Sequence, residues 1–221
     1  MKRWIRNNSL GLVMVSLFIV LIIGQSLVGY RNYNNEQQEH QKPTISFIEY
    51  LGNGDFIEAT FENWESEFLQ MFAYVILTVF LFQKGSAESK KLQGREPEDQ
   101  APKKSKSRNA PWAVRKGGAW LRVYSHSLSL AFLLLFLISI SLHAYGGSRA
   151  TCEENMSHGE SQCQSTVEYM GTSKFWFESL QNWQSEFLAV FAIVMLSIYL
   201  REKGSPESKP VNSPHAQTGT A

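Results

Sequence analysis

Four apolar runs alternate with polar segments along the chain. They cover residues 10–30, 68–82, 128–145 and 187–200, and none contains Asp, Glu, Lys or Arg. Because the chain has 20 acidic and 21 basic residues, this absence is not typical of soluble helices. A charge at the centre of a bilayer costs about 2.5–3.5 kcal/mol on insertion scales. The pattern therefore predicts four transmembrane helices.

The second and fourth runs are short for a membrane span. About 15 residues at about 1.5 Å each give about 22 Å, against about 30 Å of hydrocarbon. A buried soluble helix or an interfacial helix is the alternative for each. Trp64 and Trp183 suit the aromatic belt at a membrane surface, so each helix can begin before its apolar run. The predicted spans cover residues 10–30, 64–83, 125–145 and 183–201.

Charge is distributed unevenly between the two sides that four spans would create. One side would carry residues 1–9, 83–127 and 201–221, with 17 of the 21 basic and 6 of the 20 acidic residues. The other would carry residues 31–67 and 146–186, with 4 basic and 14 acidic residues. Lys and Arg accumulate on the cytoplasmic side of membranes. Both termini and the central loop are therefore predicted to be cytoplasmic.

The second half of the chain repeats the first. Residues 50–90 align with residues 169–209 without a gap, and about half of the positions are identical. Two spans per unit would place both units in the membrane in the same direction. The predicted fold is therefore an all-α membrane protein. It has four transmembrane helices from two tandem parallel two-helix repeats, with short interfacial helices in the outer loops.

The beginning of the chain also resembles a secretory signal, with basic residues before an apolar run. Trp4 and Arg6 have internal counterparts in Trp120 and Arg122. The internal copy cannot be a cleaved leader, so we expect the first copy to be retained as a helix.

The repeats predict four parts. These are a first repeat at 1–92, a linker at 93–118, a second repeat at 119–209 and a tail at 210–221. The linker and the tail have few core-forming residues, so both are predicted to be disordered. A solvated segment is the preferred interpretation of the linker's basic half, and contact with anionic lipid is the alternative.

The repeated motif Asn-Trp-x-Ser-Glu-Phe supplies the first candidate site. Glu67 and Glu186 occupy equivalent positions, and a pseudo-two-fold axis could bring their carboxylates together to share a proton or bind a cation. The preferred interpretation is that they mark the outer membrane surface, and that Asn and Trp pack there. The motif residues are Asn63, Trp64, Glu67, Phe68, Asn182, Trp183, Glu186 and Phe187.

Polar residues late in the first and third runs supply a second candidate site. Gln25, Ser26 and His143 would lie toward the outer surface and could form one polar cluster. Interhelical hydrogen bonds, worth about 0.6 kcal/mol each, are the plainer interpretation. His143 alone is too little for a metal site, and no metal or other cofactor is predicted.

Cys152 and Cys163 are the only cysteines, and both lie in the second outer loop. In an oxidising compartment they could pair, with a stabilisation of about 3 kcal/mol in the entropy model. Two free thiols are the alternative. The spacing does not match a redox Cys-x-x-Cys pair.

The chain resembles a family of uncharacterised bacterial integral membrane proteins. The resemblance rests on Asn-Trp-x-Ser-Glu-Phe, on Gly24-Gln25-Ser26-Leu27 and on Lys84-Gly85-Ser86-Ala87-Glu88-Ser89, and it covers nearly the whole chain except the linker. It implies a bacterial inner-membrane location and a domain of unknown function, and it supplies no catalytic residues.

The sequence contains no recognised catalytic motif, so we predict a protein that is not an enzyme. A non-enzymatic scaffold or interaction protein is the leading hypothesis, and a small-solute or ion permease is the alternative. The expected partners are the lipid bilayer and a second copy or another membrane protein, and no nucleic acid.

Overall fold

The computed structural model describes residues 2–94, 96–157 and 163–219. These residues form helices and irregular segments without a β-strand, which confirms the predicted all-helical class. A short 3-10 helix lies at Pro97–Asp99. The α-helices are α1 (Lys2–Asn7), α2 (Ser9–Glu39), α3 (Phe47–Leu51), α4 (Gly54–Phe80), α5 (Trp112–Lys116), α6 (Gly118–Ser125), α7 (Ser127–Ser157), α8 (Thr166–Met170) and α9 (Ser173–Tyr199).

Three helices recur in the same order and with the same lengths in the two halves of the chain. α2 and α7 have 31 residues each, α3 and α8 have 5, and α4 and α9 have 27. Equal lengths agree with a duplication, which remains an interpretation of the sequence.

The short helices α3 and α8 begin with matching hydrogen bonds. The Ser46 hydroxyl accepts from the Glu49 amide, and the Glu49 carboxylate accepts from the Ser46 amide at 2.7 Å. Ser165 and Glu168 make the same pair with the same 2.7 Å distance. Each pair is a capping box, and the backbone hydrogen bond lowers the pKa of each glutamate below its ordinary value.

α2 and α7 continue well beyond the predicted spans. α2 ends at Glu39 rather than near residue 30, and α7 ends at Ser157 rather than near residue 145. The polar extensions are tied together, because the Asn53 amide donates to Glu153 at 3.1 Å and to the Tyr33 hydroxyl at 3.2 Å. Hydropathy detects only the apolar part of such helices.

The residue types that are buried and exposed are the reverse of those in a soluble protein. The buried hydrophobic residues among those described are few and mostly small or aromatic, whereas the buried polar set is twice as large and includes Glu65, His143 and Lys209. Large aliphatic side chains point outward, with Leu10 70% and Leu21 69% exposed. Water disfavours such exposed apolar surface, whereas lipid does not.

Three of the described helices are long and apolar enough to cross a membrane, namely α2, α7 and α9. Together with the inverted burial, they mark a membrane-associated protein. α4 equals α9 in length but does not belong to this set, since five acidic residues lower its hydropathy. The fourth predicted span, α4, therefore stays a prediction.

The contacts divide the chain into two compact units. The first contains the described residues up to Thr60 together with Leu142–Met170, and the second contains Phe61–Ser141 and the described residues from Gly171 onward. This division differs from the repeat-based boundaries, because close contacts within each unit join the two halves of the chain. In the first unit, for example, a Cβ on Gly54 would lie 2.8 Å from the Gly146 carbonyl oxygen.

The linker and tail contain more structure than their composition predicts. α5 lies within the predicted linker. In the tail, the Thr218 hydroxyl accepts from the Gly85 amide at 2.9 Å, and the Gly219 amide donates to the Ser86 carbonyl at 2.9 Å. The predicted disorder of the linker and tail stays a prediction. Residues 95, 220 and 221 of these segments lie outside the described residues.

Candidate functional site

Glu65, rather than Glu67, is the buried glutamate of the first Asn-Trp-x-Ser-Glu-Phe motif. Its side chain is completely buried, whereas Glu67 is exposed. The Ser179 hydroxyl donates to Glu65 Oε1 at 2.7 Å, and the Trp183 indole N–H donates to the same oxygen at 3.3 Å. Both donors lie on α9, so this carboxylate joins α4 to α9 within the second unit.

Glu62 extends the same contact by one helical turn. Asn182 donates its side-chain amide to Glu62 Oε1 through a short hydrogen bond, and it also donates to the Glu178 carbonyl oxygen at 3.2 Å. Two of the predicted motif residues, Asn182 and Trp183, therefore serve as donors to acidic residues of the other copy.

The first unit holds a second buried carboxylate contact. The Tyr169 hydroxyl donates to Glu58 Oε1 at 2.8 Å, and Tyr169 itself is 1% exposed. A ring nitrogen of the fully buried His143 lies within 4.8 Å of a Glu58 carboxylate oxygen. His143 and Glu58 thus offer one nitrogen and one oxygen ligand to a divalent metal.

The tyrosine of this contact is positioned by a glycine. Gly147 on α7 leaves room for the Tyr169 ring, and a Cβ at residue 147 would overlap that ring. Gly29 on α2 stands in the same relation to Tyr50. Each long helix therefore meets its following short helix through a glycine–tyrosine contact.

The other predicted polar residues have partners of their own. Gln25 donates to the Thr60 hydroxyl at 3.3 Å, and the buried Ser26 donates to the Ile22 carbonyl oxygen of its own helix at 2.7 Å. The structure thus places Gln25 and His143 in the same unit but gives them different neighbours. A single functional cluster of Gln25, Ser26 and His143 stays a prediction.

The predicted glutamate pair is close enough for electrostatic interaction. Glu67 on α4 and Glu186 on α9 both lie in the second unit, and the charge of Glu67 acts on Glu186. Trp64 contacts the Phe61 ring edge-on at 5.0 Å, and Phe68 is half-buried, whereas Asn63 and Phe187 are exposed. The shared role of Glu67 and Glu186 therefore remains open to test.

Comparison with known families shows which family the chain belongs to but gives no activity. A family model described as "Domain of unknown function (DUF6766)" matches residues 1–220. The chain belongs to this family. Neither a curated protein nor a solved structure shows significant similarity to the chain. The DUF6766 match confirms the predicted membership in an uncharacterised family and assigns no catalytic residue.

In this DUF6766 member, the two Lys-Gly-Ser-x-Glu-Ser-Lys loops fold alike. The Ser86 hydroxyl accepts from the Glu88 amide at 3.1 Å, and the Ser205 hydroxyl accepts from the Glu207 amide at 3.2 Å. Gly85 and Gly204 have φ angles of 88° and 87°, a left-handed conformation that favours glycine. The local conformation is therefore encoded within each motif.

The final lysines of the two loops differ in environment. Lys90 forms an exposed ion pair with Asp99 at 2.7 Å. Lys209 is 1% exposed and donates to the carbonyl oxygens of Gly85, Pro214, His215 and Gln217. Burial lowers the pKa of the Lys209 ammonium, and the charge of Arg201 lowers it further.

The glutamates of the loops also come together. The Tyr74 hydroxyl donates to Glu88 Oε2 at 2.7 Å. Burial raises the pKa of Glu88, and the nearby Glu207 carboxylate raises it further, while the Tyr74 hydrogen bond opposes the shift. Sequence reasoning did not select Glu88 and Glu207, although their repetition was a signal for them.

The two cysteines are joined. Cys152 at the end of α7 forms a disulfide with Cys163, which precedes α8. Residues 158–162 of the enclosed loop lie outside the described residues. The disulfide reinforces a loop of the second half that has no cysteine counterpart in the first.

Proposed function

We propose that the chain is an integral protein of the bacterial inner membrane with four spans, formed by α2, α4, α7 and α9. The charge distribution supports this topology, because four spans gather 17 of the 21 basic residues on one side. With α2, α7 and α9 alone, the basic central loop would move to the side opposite the N-terminal segment. With all four spans, the N-terminal segment and the tail are both cytoplasmic.

The length and hydrogen bonds of α4 support its role as a span. Its 27 residues at about 1.5 Å give about 40 Å, which exceeds the hydrocarbon thickness of about 30 Å. Glu62 and Glu65 accept hydrogen bonds from α9, so these two turns need not present a bare carboxylate to lipid.

Within the membrane, the protein acts as a non-enzymatic scaffold that presents its surfaces to a second copy or another membrane protein. The observation that carries this proposal is the buried Glu65, which Ser179 and Trp183 hold with fixed neutral donors. Donors supplied by one helix to an acceptor on another hold the pair in one register. Such fixed hydrogen bonds between helices suit a structural role better than a catalytic or transport cycle.

A flux assay tests the scaffold against the permease. The purified chain is reconstituted in liposomes that enclose a pH-sensitive dye, and proton and potassium fluxes are driven by imposed gradients. A scaffold predicts the same flux as protein-free liposomes, for the native chain and for Glu67→Gln with Glu186→Gln. Flux that the native chain supports and this double variant abolishes would contradict the scaffold.

The permease remains the second candidate function, and the proximity of Glu67 and Glu186 favours it. Two equivalent carboxylates that lie near each other could bind a cation or a shared proton. As a matched control, Glu202→Gln removes one exposed carboxylate outside α4 and α9. A permease predicts unchanged flux in this control and lost flux in the double variant.

A further inference from the structure

The segment between Gln100 and Ser127 is uniformly basic. It contains seven Lys and Arg residues and no Asp or Glu. All seven basic side chains are exposed. A cationic surface with no acidic residue in its own sequence attracts an anionic partner.

Two tryptophans and a lysine give this surface a defined centre. Gly117 and Gly118, with φ angles of 75° and 60°, turn the chain sharply between α5 and α6. The turn brings the Trp112 and Trp120 rings edge-to-face with centroids 5.1 Å apart. Lys116 Nζ lies 4.9 Å from the first ring centroid and 4.6 Å from the second. The ammonium is thus held between two aromatic faces.

This arrangement leaves apolar and charged groups open on one surface. Trp112 is 54% exposed and Trp120 is 50% exposed. The basic segment is tied to α5, because the Ser105 amide donates to the Val114 carbonyl oxygen at 3.2 Å. Half-exposed tryptophans beside cations are the combination that membrane headgroup regions favour.

The position of α6 in the chain identifies the anionic partner. Only His126 separates α6 from α7, which is long and apolar enough to span a membrane. The eight residues of α6 extend about 12 Å, so this surface lies close to the headgroups when α7 spans. The headgroup of an anionic phospholipid is therefore the anionic group that this position favours as a partner.

We propose that Trp112, Lys116 and Trp120, together with the surrounding basic residues 103–122, bind the headgroups of anionic phospholipids. The proposal rests on the membrane span of α7 proposed above. Trp112 and Trp120 insert at the headgroup level, and the cations contact lipid phosphates.

Hydrogen exchange of the full chain in nanodiscs tests this proposal. Exchange at residues 103–122 is compared in nanodiscs of phosphatidylcholine alone and of phosphatidylcholine with phosphatidylglycerol. We expect roughly tenfold slower exchange with the anionic lipid, and the difference should shrink at high salt because charges on the membrane surface are screened. Exchange that is equal in both lipids would overturn the proposal.

Matched charge variants separate a local surface from general attraction. Lys103→Gln with Lys104→Gln removes two exposed cations from the surface, and Lys84→Gln with Lys91→Gln removes two exposed cations from the preceding segment. Of the two lysine pairs, we expect only the first to reduce the protection from exchange. The double substitution Trp112→Ala with Trp120→Ala should also reduce it. Equal effects of both lysine pairs would contradict a defined site.

The same experiment distinguishes failure of this proposal from failure of the proposed function. A chain that does not enter nanodiscs refutes the membrane spans and this lipid surface together. A chain that enters them and shows no response to phosphatidylglycerol refutes the lipid surface alone.

Discussion

α4 and α9 are equally long and share the Asn-Trp-x-Ser-Glu-Phe motif, but they contribute opposite groups to their contact. α4 supplies the acceptors Glu62 and Glu65, and α9 supplies the donors Ser179, Asn182 and Trp183. The positions on α9 that correspond to the two acceptors are both glutamine. The two copies of the motif thus contribute complementary groups, whereas two acidic helices would repel each other.

Removal of the Glu65 carboxylate should have the largest effect on this pair. Glu65→Ala leaves Ser179 and Trp183 without their acceptor, and we expect a loss of about 3 kcal/mol in unfolding free energy. Glu65→Gln keeps an acceptor and should lose less than half as much. Denaturant titration in detergent, followed by circular dichroism, measures both variants.

Two control variants sharpen this result. Glu67→Gln changes an exposed glutamate two residues away and should stay within about 0.5 kcal/mol of the native chain. Glu65→Gln with Gln184→Glu moves the acid to α9 and should not recover native stability. Recovery in this swapped chain would show that α4 and α9 are interchangeable.

Lys209 distinguishes the two Lys-Gly-Ser-x-Glu-Ser-Lys loops in the same way. Lys209→Met leaves four carbonyl oxygens without their buried donor and should cost about 2 kcal/mol, mostly as local opening of residues 210–219. Hydrogen exchange of the tail measures this opening. Lys90→Met breaks only an exposed ion pair, for which about 0.5 kcal/mol is expected. Similar opening in both variants would remove the distinction.

The tyrosines of α3 and α8 offer a smaller contrast. Tyr169→Phe loses the hydroxyl that Glu58 accepts from but keeps the ring against Gly147, so we expect about 1 kcal/mol of destabilisation. Tyr50→Phe should be nearly neutral, since among the described residues the Tyr50 hydroxyl donates to no carboxylate. Thermal unfolding in detergent compares them, and equal shifts would argue against the Glu58 contact.

The smallest predicted effect is a pH dependence of stability. Because the folded-state pKa of Glu88 is raised by burial, its contribution to stability is fully present below the ordinary glutamate pKa and is lost as pH rises through the raised value. Glu88→Gln should remove this dependence, so loop protection from exchange should no longer fall as pH rises above the ordinary glutamate pKa. Glu202→Gln, at an exposed position just before the second loop, should leave the pH dependence unchanged.

Sequence reasoning recovered the helices better than the contacts between them. Apolar runs identify a helix from its own residues, and the capping boxes of α3 and α8 are local as well. Glu58, Glu62 and Glu65 follow one another at spacings of four and three, which places them on one helical face. That spacing was the available signal for the three acids that accept hydrogen bonds, whereas the position of Glu67 next to the apolar run led to its selection as a candidate.

The identity of the donors could not be read from sequence in the same way. Ser179 and Tyr169 lie more than 100 residues from the carboxylates they contact. Only the fold defines which face of α9 meets α4, because the motif is present on both helices. The environment of Lys209 is likewise set by the tail rather than by the loop motif.

The most direct measurement is the accessibility of substituted cysteines in intact cells. In a Cys152→Ser, Cys163→Ser background, single cysteines replace His40, Ala101 or Val211, all of which are exposed. The account predicts that a membrane-impermeant maleimide labels position 40 in intact cells, and labels positions 101 and 211 only after permeabilisation. Labelling of position 101 in intact cells would show that α4 does not span, and would contradict the pairing of α4 with α9 inside the membrane.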